Sequence, residues 1–178
     1  MSFEPLSNAI QSADTKAERL RRLLAALPAC FAPDLPEITG MSNFLALLHE
    51  TMGNLWSGFY FVRDRAAPEP DLFLGLFQGS AACEVIRYGK GVCGTSLKEG
   101  KILIVQDVED FPGHIACSSL SRSEIVLPLF DDGGKAFAVL DLDSSEKGFY
   151  DETDRRILGE IVRSLAPYAA RLRRALFP

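Results

Sequence analysis

Four cysteines, Cys30, Cys83, Cys93 and Cys117, are spread along the 178-residue chain with no C-x-x-C pair among them. A chain of this size does not need disulfides to fold, and a reducing compartment disfavours them. Each thiol is therefore a small buried apolar group, a metal ligand or a redox group. Cys117 ends the segment DFPGHIAC, where Pro112-Gly113 predicts a type II turn that lifts the loop. A thiolate in such a loop, beside acids, suits attack on an electrophilic sulfur. The sulfenic acid so formed needs a second thiol to clear it, and Cys83 and Cys93 are the candidates.

The acids are Asp141 and Asp143, two apart at the end of KAFAVLDLD, and Glu124, which opens the strand before it. A period of two places both aspartates on one face with Phe137 and Val139, while Ala138, Leu140 and Leu142 point the other way. Across a hairpin, Glu124 could reach them. Three converging carboxylates would hold an ammonium group or supply an acid of raised pKa. The alternative is that Asp143-Ser144 begins a turn and Glu124 lies in water. Trp56, Phe59 and Tyr60 could wall a small pocket, although at least one of them should be ordinary core.

Two further patterns carry less. Gly89-Lys90-Gly91-Val92-Cys93-Gly94 satisfies G-x-G-x-x-G, but a dinucleotide fingerprint needs a strand before it and a full helix after it. The gap of about six residues to the next strand looks too short for a crossover helix. The glycines are expected instead to let the backbone turn sharply and leave the Cys93 sulfur accessible. Cys83, Cys93, His114 and Cys117 offer soft ligands, but the first pair is ten apart where zinc sites usually pair ligands two to four apart. Zinc stays open and is not favoured.

The elements that must position these residues follow from periodicity. Leu20, Leu23, Leu24 and Leu27 repeat at helical spacing between a cap at Asp14 and a stop at Pro28, with Arg19, Arg21 and Arg22 on the wet face. Cys30 falls in the Pro-rich connector that follows. A second helix is expected over 39–54, with Phe44, Leu45, Leu48, Met52 and Leu55 on one side and His49 in a structural role. Strands are expected at WSGFYFV, LFLGLF, EVIRY, ILIV, EIVLPLF and KAFAVLDLD, with Pro128 demanding an edge or a bulge. The turn at 131–134 closes a hairpin. Asp151 caps a last helix that should kink or restart at Pro167. The sum is an α+β domain with a mostly antiparallel sheet.

Composition narrows the partners. Lys plus Arg is 19 against 24 Asp plus Glu, a net charge of −5. Without a basic stripe, nucleic acid is a poor partner. No apolar run reaches the length of a membrane span, and MSFEPLSNAIQ has no basic n-region or apolar h-region, so the cytoplasm is the default address.

WSGFY (56–60), LGLFQGSAAC (74–83), YGKGVCGTS (88–96), DVEDFPGHIAC (107–117), SEIVLPL (123–129) and VLDLDS (139–144) resemble the free methionine-(R)-sulfoxide reductases, enzymes built on a GAF domain. The likeness runs in order from about Trp56 to Asp154. It implies a single GAF-like domain over 41–178 with a central sheet of about six strands flanked by N- and C-terminal helices; residues 1–40 carry little of the likeness, and periodicity alone reads them as a helical extension and connector. It further implies that Cys117 attacks the sulfoxide sulfur, that Cys83 is the main resolving thiol with Cys93 able to take part, and that thioredoxin, supplied by NADPH through its reductase, clears the disulfide. Glu124, Asp141 and Asp143 match substrate-binding carboxylates, and Trp56 and Tyr60 match aromatics around the methyl end. No bound cofactor or metal is implied. Cys30 has no counterpart. Members of the family are often homodimers, a contact the N-terminal helices could supply. Leu76 stands where the family usually has Pro, and Ser118 follows the attacking cysteine where Asp is common. The readings that compete are a GAF module that senses a small ligand without catalysis, and a zinc or thiol-switch protein.

Overall fold

The computed structural model describes residues 3–115 and 118–178. Six strands make one sheet: β1 (Trp56–Val62), β2 (Leu72–Gln78), β3 (Val85–Ile86), β4 (Leu103–Val105), β5 (Ser123–Phe130) and β6 (Ala136–Ser144). Their order is β3-β2-β1-β6-β5-β4, and every neighbouring pair is antiparallel. Alternation along the strands gives the sheet two different faces. One carries Phe59, Phe61, Ile125, Leu127, Leu140 and Leu142, and it is covered by α3 (Glu37–Met52) and α5 (Glu152–Leu176), on which α1 (Glu4–Gln11) and α2 (Lys16–Ala26) pack. The other carries Trp56, Tyr60, Val126 and Val139, and it packs against α4 (Gly91–Glu99). The first face holds the main core, and the second holds a smaller cluster with room beside it.

Several local expectations are met for the reasons given. Pro128 lies beyond Val126, where β4 stops pairing with β5, so its missing N–H faces no partner strand there. Asp151 and Asp154 form a capping box at the start of α5. His49 is a structural residue: its Nδ1 meets Ser57 Oγ at 3.1 Å, and burial lowers its pKa.

Other expectations are corrected. The cap of α2 is Thr15, whose side chain accepts from the Glu18 amide, and not Asp14. Helix α1 was not read from the sequence; Pro5 opens it and Ile10 anchors it in the core. Helix α3 ends at Gly53, which takes a left-handed conformation, so Leu55 lies outside it. Helix α5 does not restart at Pro167 but runs through it to Leu176. Phe137 does not share a face with Asp141: the register jumps between Leu129 and Phe130, and the resulting bulge turns Phe137 into the main core beside Ala138.

Helix α4 is the largest correction. A nine-residue helix does follow the glycine-rich turn. It carries the chain from β3 at one edge of the sheet to β4 at the other, so it joins no adjacent parallel strands and builds no dinucleotide crossover. Gly94 is needed because a Cβ there would strike the Arg87 carbonyl. Cys93, in the first turn, is 3% exposed rather than accessible. Among the described residues, no helix is long and apolar enough to cross a membrane.

The N-terminal helices are tied to the rest by Lys16, whose Nζ lies 2.6 Å from Asp154 Oδ2 and 2.7 Å from the Phe149 carbonyl. Asp154 is 1% exposed, so removing its partner strands a buried carboxylate. Lys16→Met is expected to cost about 1–3 kcal/mol in urea unfolding, the half-wet lysine moderating the loss. A change within a few tenths of a kcal/mol would show that this pair does not hold the extension.

Candidate active site

Cross-strand register builds the site. Glu124 of β5 is directly opposite Asp143 of β6, and Val126 is opposite Asp141. On the other side of β6, Trp56 of β1 is opposite Asp143 and Gly58 is opposite Asp141. Directly opposed side chains on one face sit about 5 Å apart at Cβ, so these pairings alone draw the three carboxylates together under Trp56. The sequence expectation of convergence is met, and the alternative in which Glu124 lies in water is not: Glu124 is 5% and Asp141 is 7% exposed.

A cleft opens over this row. Its walls include Trp56, Tyr60, Val92, Cys93 and Ile115, and its base is Glu124, Asp141 and Asp143. Glycine at 58 is required, because a Cβ would overlap the Trp56 ring. The two aromatics lie 6.0 Å apart and tilted by 31°. They also pin the segment that carries Cys83: Trp56 Nε1 donates to the Ser80 carbonyl and Tyr60 Oη donates to the Cys83 carbonyl, each at 3.0 Å. Phe59, the third aromatic, is core on the opposite face.

Like charges packed this closely titrate abnormally. Burial, then the Asp143 charge, pushes the Glu124 carboxyl well above the usual range. Asp141 rises for the same first reason, followed by repulsion from Glu124 and Asp143. Asp143 rises by burial too, against the opposing pull of a Ser121 hydroxyl at 2.5 Å and of His114. One oxygen of Asp141 is buried without a hydrogen-bond partner. Such an acceptor is costly unless a donor is brought to it, and an ammonium group is a suitable donor.

The thiols occupy three different settings. Cys93 Sγ is 3.9 Å from Glu124 Oε1, and burial, then Asp141 and Glu124, raises its pKa well above normal. This thiol stays protonated and donates. Cys83 is half-buried and disulfide-bonded, whereas Cys30 and Cys93 are free. Cys30 is buried in the helical core with its pKa pushed up to about 11, an inert thiol. Cys117 lies outside the described residues. The turn before it does not: Gly113 has φ +74 and the His114 amide donates to the Phe111 carbonyl at 3.1 Å, as a Pro-Gly type II turn requires.

Of the ligands weighed for zinc, His114 and Cys93 come to Glu124 from different sides, with His114 Nε2 3.6 Å from Glu124 Oε2. The disulfide withdraws Cys83 from metal binding. Cys93, Glu124 and Asp141 place one ligand atom each within 4.8 Å of one another, a single sulfur with two hard oxygens rather than the Cys- and His-rich set of structural zinc sites. Sequence reasoning missed Ser121, the hydroxyl on Asp143, and saw His114 only as a ligand. Ser121 lies at no strand period and in none of the motifs, whereas His114 lies inside DFPGHIAC, where attention fell on the cysteine.

The chain belongs to the GAF domain family, whose profile matches residues 41–167. It is 44% identical over 154 residues to GAF domain-containing protein A of Dictyostelium discoideum, covering 86% of this chain and 94% of that one. It is 35% identical over 153 residues to the free methionine-R-sulfoxide reductase of Saccharomyces cerevisiae, covering 83% and 84%. Among solved structures, a free methionine-R-sulfoxide reductase from Neisseria meningitidis in complex with its substrate superposes with a TM-score of 0.83 at 43% identity, covering 92% of this chain and 96% of that one.

The raised carboxyl pKa values have a consequence for stability. In the unfolded chain these acids titrate near about 4, so between there and their folded values the native state binds more protons than the unfolded one. Stability contributed by the cluster is therefore present at low pH and declines as pH rises through the folded pKa values. Glu124→Gln is expected to be the more stable protein at neutral pH, by about 1–2 kcal/mol, with the advantage vanishing below about pH 4. Urea unfolding of both proteins across pH tests this; an advantage independent of pH would contradict the assigned repulsion.

Proposed function

We propose that this protein reduces free L-methionine-(R)-sulfoxide to L-methionine, with residues 41–178 as the catalytic domain and 1–40 as a helical extension. The observation that carries the reading is the buried row Glu124, Asp141 and Asp143 beneath Trp56 and Tyr60. The relatives that bear the reductase name support it. The partnerless oxygen of Asp141 would accept from the substrate ammonium, and the apolar rings would take the S-methyl end.

Sulfoxide oxygen leaves poorly unless it is protonated, and Glu124, kept neutral by burial and by Asp143, is the acid placed to do so. Cys117 supplies the attacking sulfur. Its thiol and the sulfoxide exchange one oxygen atom and two electrons, giving methionine and a Cys117 sulfenic acid. The Cys83 thiol then attacks that sulfur, a Cys83–Cys117 disulfide forms, and water departs. That Cys83 is disulfide-bonded supports its assignment as resolving thiol, and the protonated state of Cys93 supports a secondary place for that residue. A thioredoxin dithiol reduces the disulfide, with NADPH as the source through its reductase, so no prosthetic group is needed. The reaction belongs in the cytoplasm.

The test is turnover. With thioredoxin, its reductase and NADPH, the purified protein should oxidise NADPH on free L-methionine-(R)-sulfoxide and not on the S epimer. One substrate equivalent should remove two titratable thiols, and one only in Cys83→Ser. Cys117→Ser should be inactive; activity that survives it would dismiss the assigned nucleophile. Glu124→Gln should fold and lose roughly 10²–10⁴-fold in kcat, the usual worth of a positioned acid.

A further inference from the structure

A second cleft lies at the opposite end of the β5–β6 hairpin, on the helical side of the sheet, and the reductase chemistry makes no use of it. Leu129, Phe130 and Phe137 line it from the hairpin, and Val162, Ala166 and Pro167 line it from α5. Around this apolar slot stand Arg65, Arg163, Arg171, Arg173 and Arg174, against the two acids Asp131 and Asp132. On a chain of net charge −5 this is a concentrated positive region.

The arginines are only partly neutralised. Arg65 pairs with Asp131, and Arg171 pairs with Glu37 at 2.5 Å on the outer side. Arg173 is 8% exposed, and its guanidinium donates through Nε to the Val62 carbonyl and through Nη2 to the Arg63 carbonyl, neutral acceptors that leave its charge unpaired. Burial, then Arg65 and Arg174, holds its pKa below the ordinary value, while Asp64 works the other way. Arg163 and Arg174 form no ion pair among the described residues, although Glu37 feels Arg174 at longer range. The Nε of Arg65 is buried with no hydrogen-bond partner. Pro167 has no N–H to give the Arg163 carbonyl, so the α5 wall of the slot carries a backbone acceptor free of its helical bond.

We propose that this groove is a second ligand site, which takes a small amphipathic organic anion: an apolar ring or chain bearing a phosphate or carboxylate group. The anion would meet the Arg65, Arg163 and Arg174 guanidiniums, whose planar forks suit such oxygens, and the apolar body would lie between the exposed Phe130 ring and Ala166. The site is independent of the reductase reading, because the acidic cleft repels what this one attracts.

Calorimetric titration of the full chain with three probes tests it: 1-naphthyl phosphate, inorganic phosphate and 1-naphthol. The expected result is one 1-naphthyl phosphate per chain, bound at least about tenfold more tightly than either half-probe and weakened by added salt. Excess L-methionine-(R)-sulfoxide should not displace it. Arg163→Ala/Arg174→Ala should weaken binding about tenfold or more, with melting temperature and NADPH-linked turnover unchanged. Ala166→Trp should block it by filling the slot. No saturable binding up to about 1 mM, equal affinity in the double alanine variant, or displacement by the sulfoxide would each overturn the proposal. So would self-association that Ala166→Trp abolishes, which would give the groove to a second copy.

Discussion

Mutual repulsion among Glu124, Asp141 and Asp143 is the constraint around which the molecule is arranged. Pairing of β5 with β6 sets Glu124 against Asp143, and burial removes the water that would screen them. Such a row is unfavourable in the folded protein, and the opposite face of the same strands supplies what offsets it. Ile125, Leu127, Leu140 and Leu142 are fully buried beneath the helical layer. A single hairpin thus carries its stability on one side and its reactivity on the other, and a one-residue register slip would exchange the two.

The surrounding elements sort chemically identical groups by environment. Among the described thiols, Cys30 is neutralised by the helical core, and Cys93 is held protonated by the acids beside it. The Cys83 backbone is held by Tyr60 through its carbonyl, an anchor separate from its sulfur. The aromatics do double service, closing the cleft with their rings and fixing residues 80–83 with their polar tips.

Much of this was legible in the chain because period-two alternation is a local signal. It placed Asp141 and Asp143 on one face and put Glu124 within reach, and the register followed. What failed were features decided by tertiary contact. The bulge that rotates Phe137 into the main core depends on how β5 meets β6. Helix α4 was missed because its Gly91 and Gly94 weaken helix propensity, and its place across the sheet face is what holds it. The same burial explains why Cys93, read as accessible from its glycine neighbours, is enclosed. Ser121 and His114 precede β5 in irregular chain, where no period links side chain to face. Pro167 was weighed as a helix breaker, yet Val162, Leu165, Ala169 and Leu172 pack on both sides of it and carry α5 through.

Pro128 has a meaning beyond pairing geometry. β5 outruns β4 from Leu127 onward, so Leu127, Pro128 and Leu129, though buried, have no strand paired on that side. An unprotected margin is a template on which other chains could stack into fibrils. Proline deprives an incoming strand of one donor there, and the β6 bulge at Phe137 increases the local twist against flat docking. Together with the burial of Leu127 and Leu129, this guards the sheet against polymerisation where β4 leaves β5 unpaired.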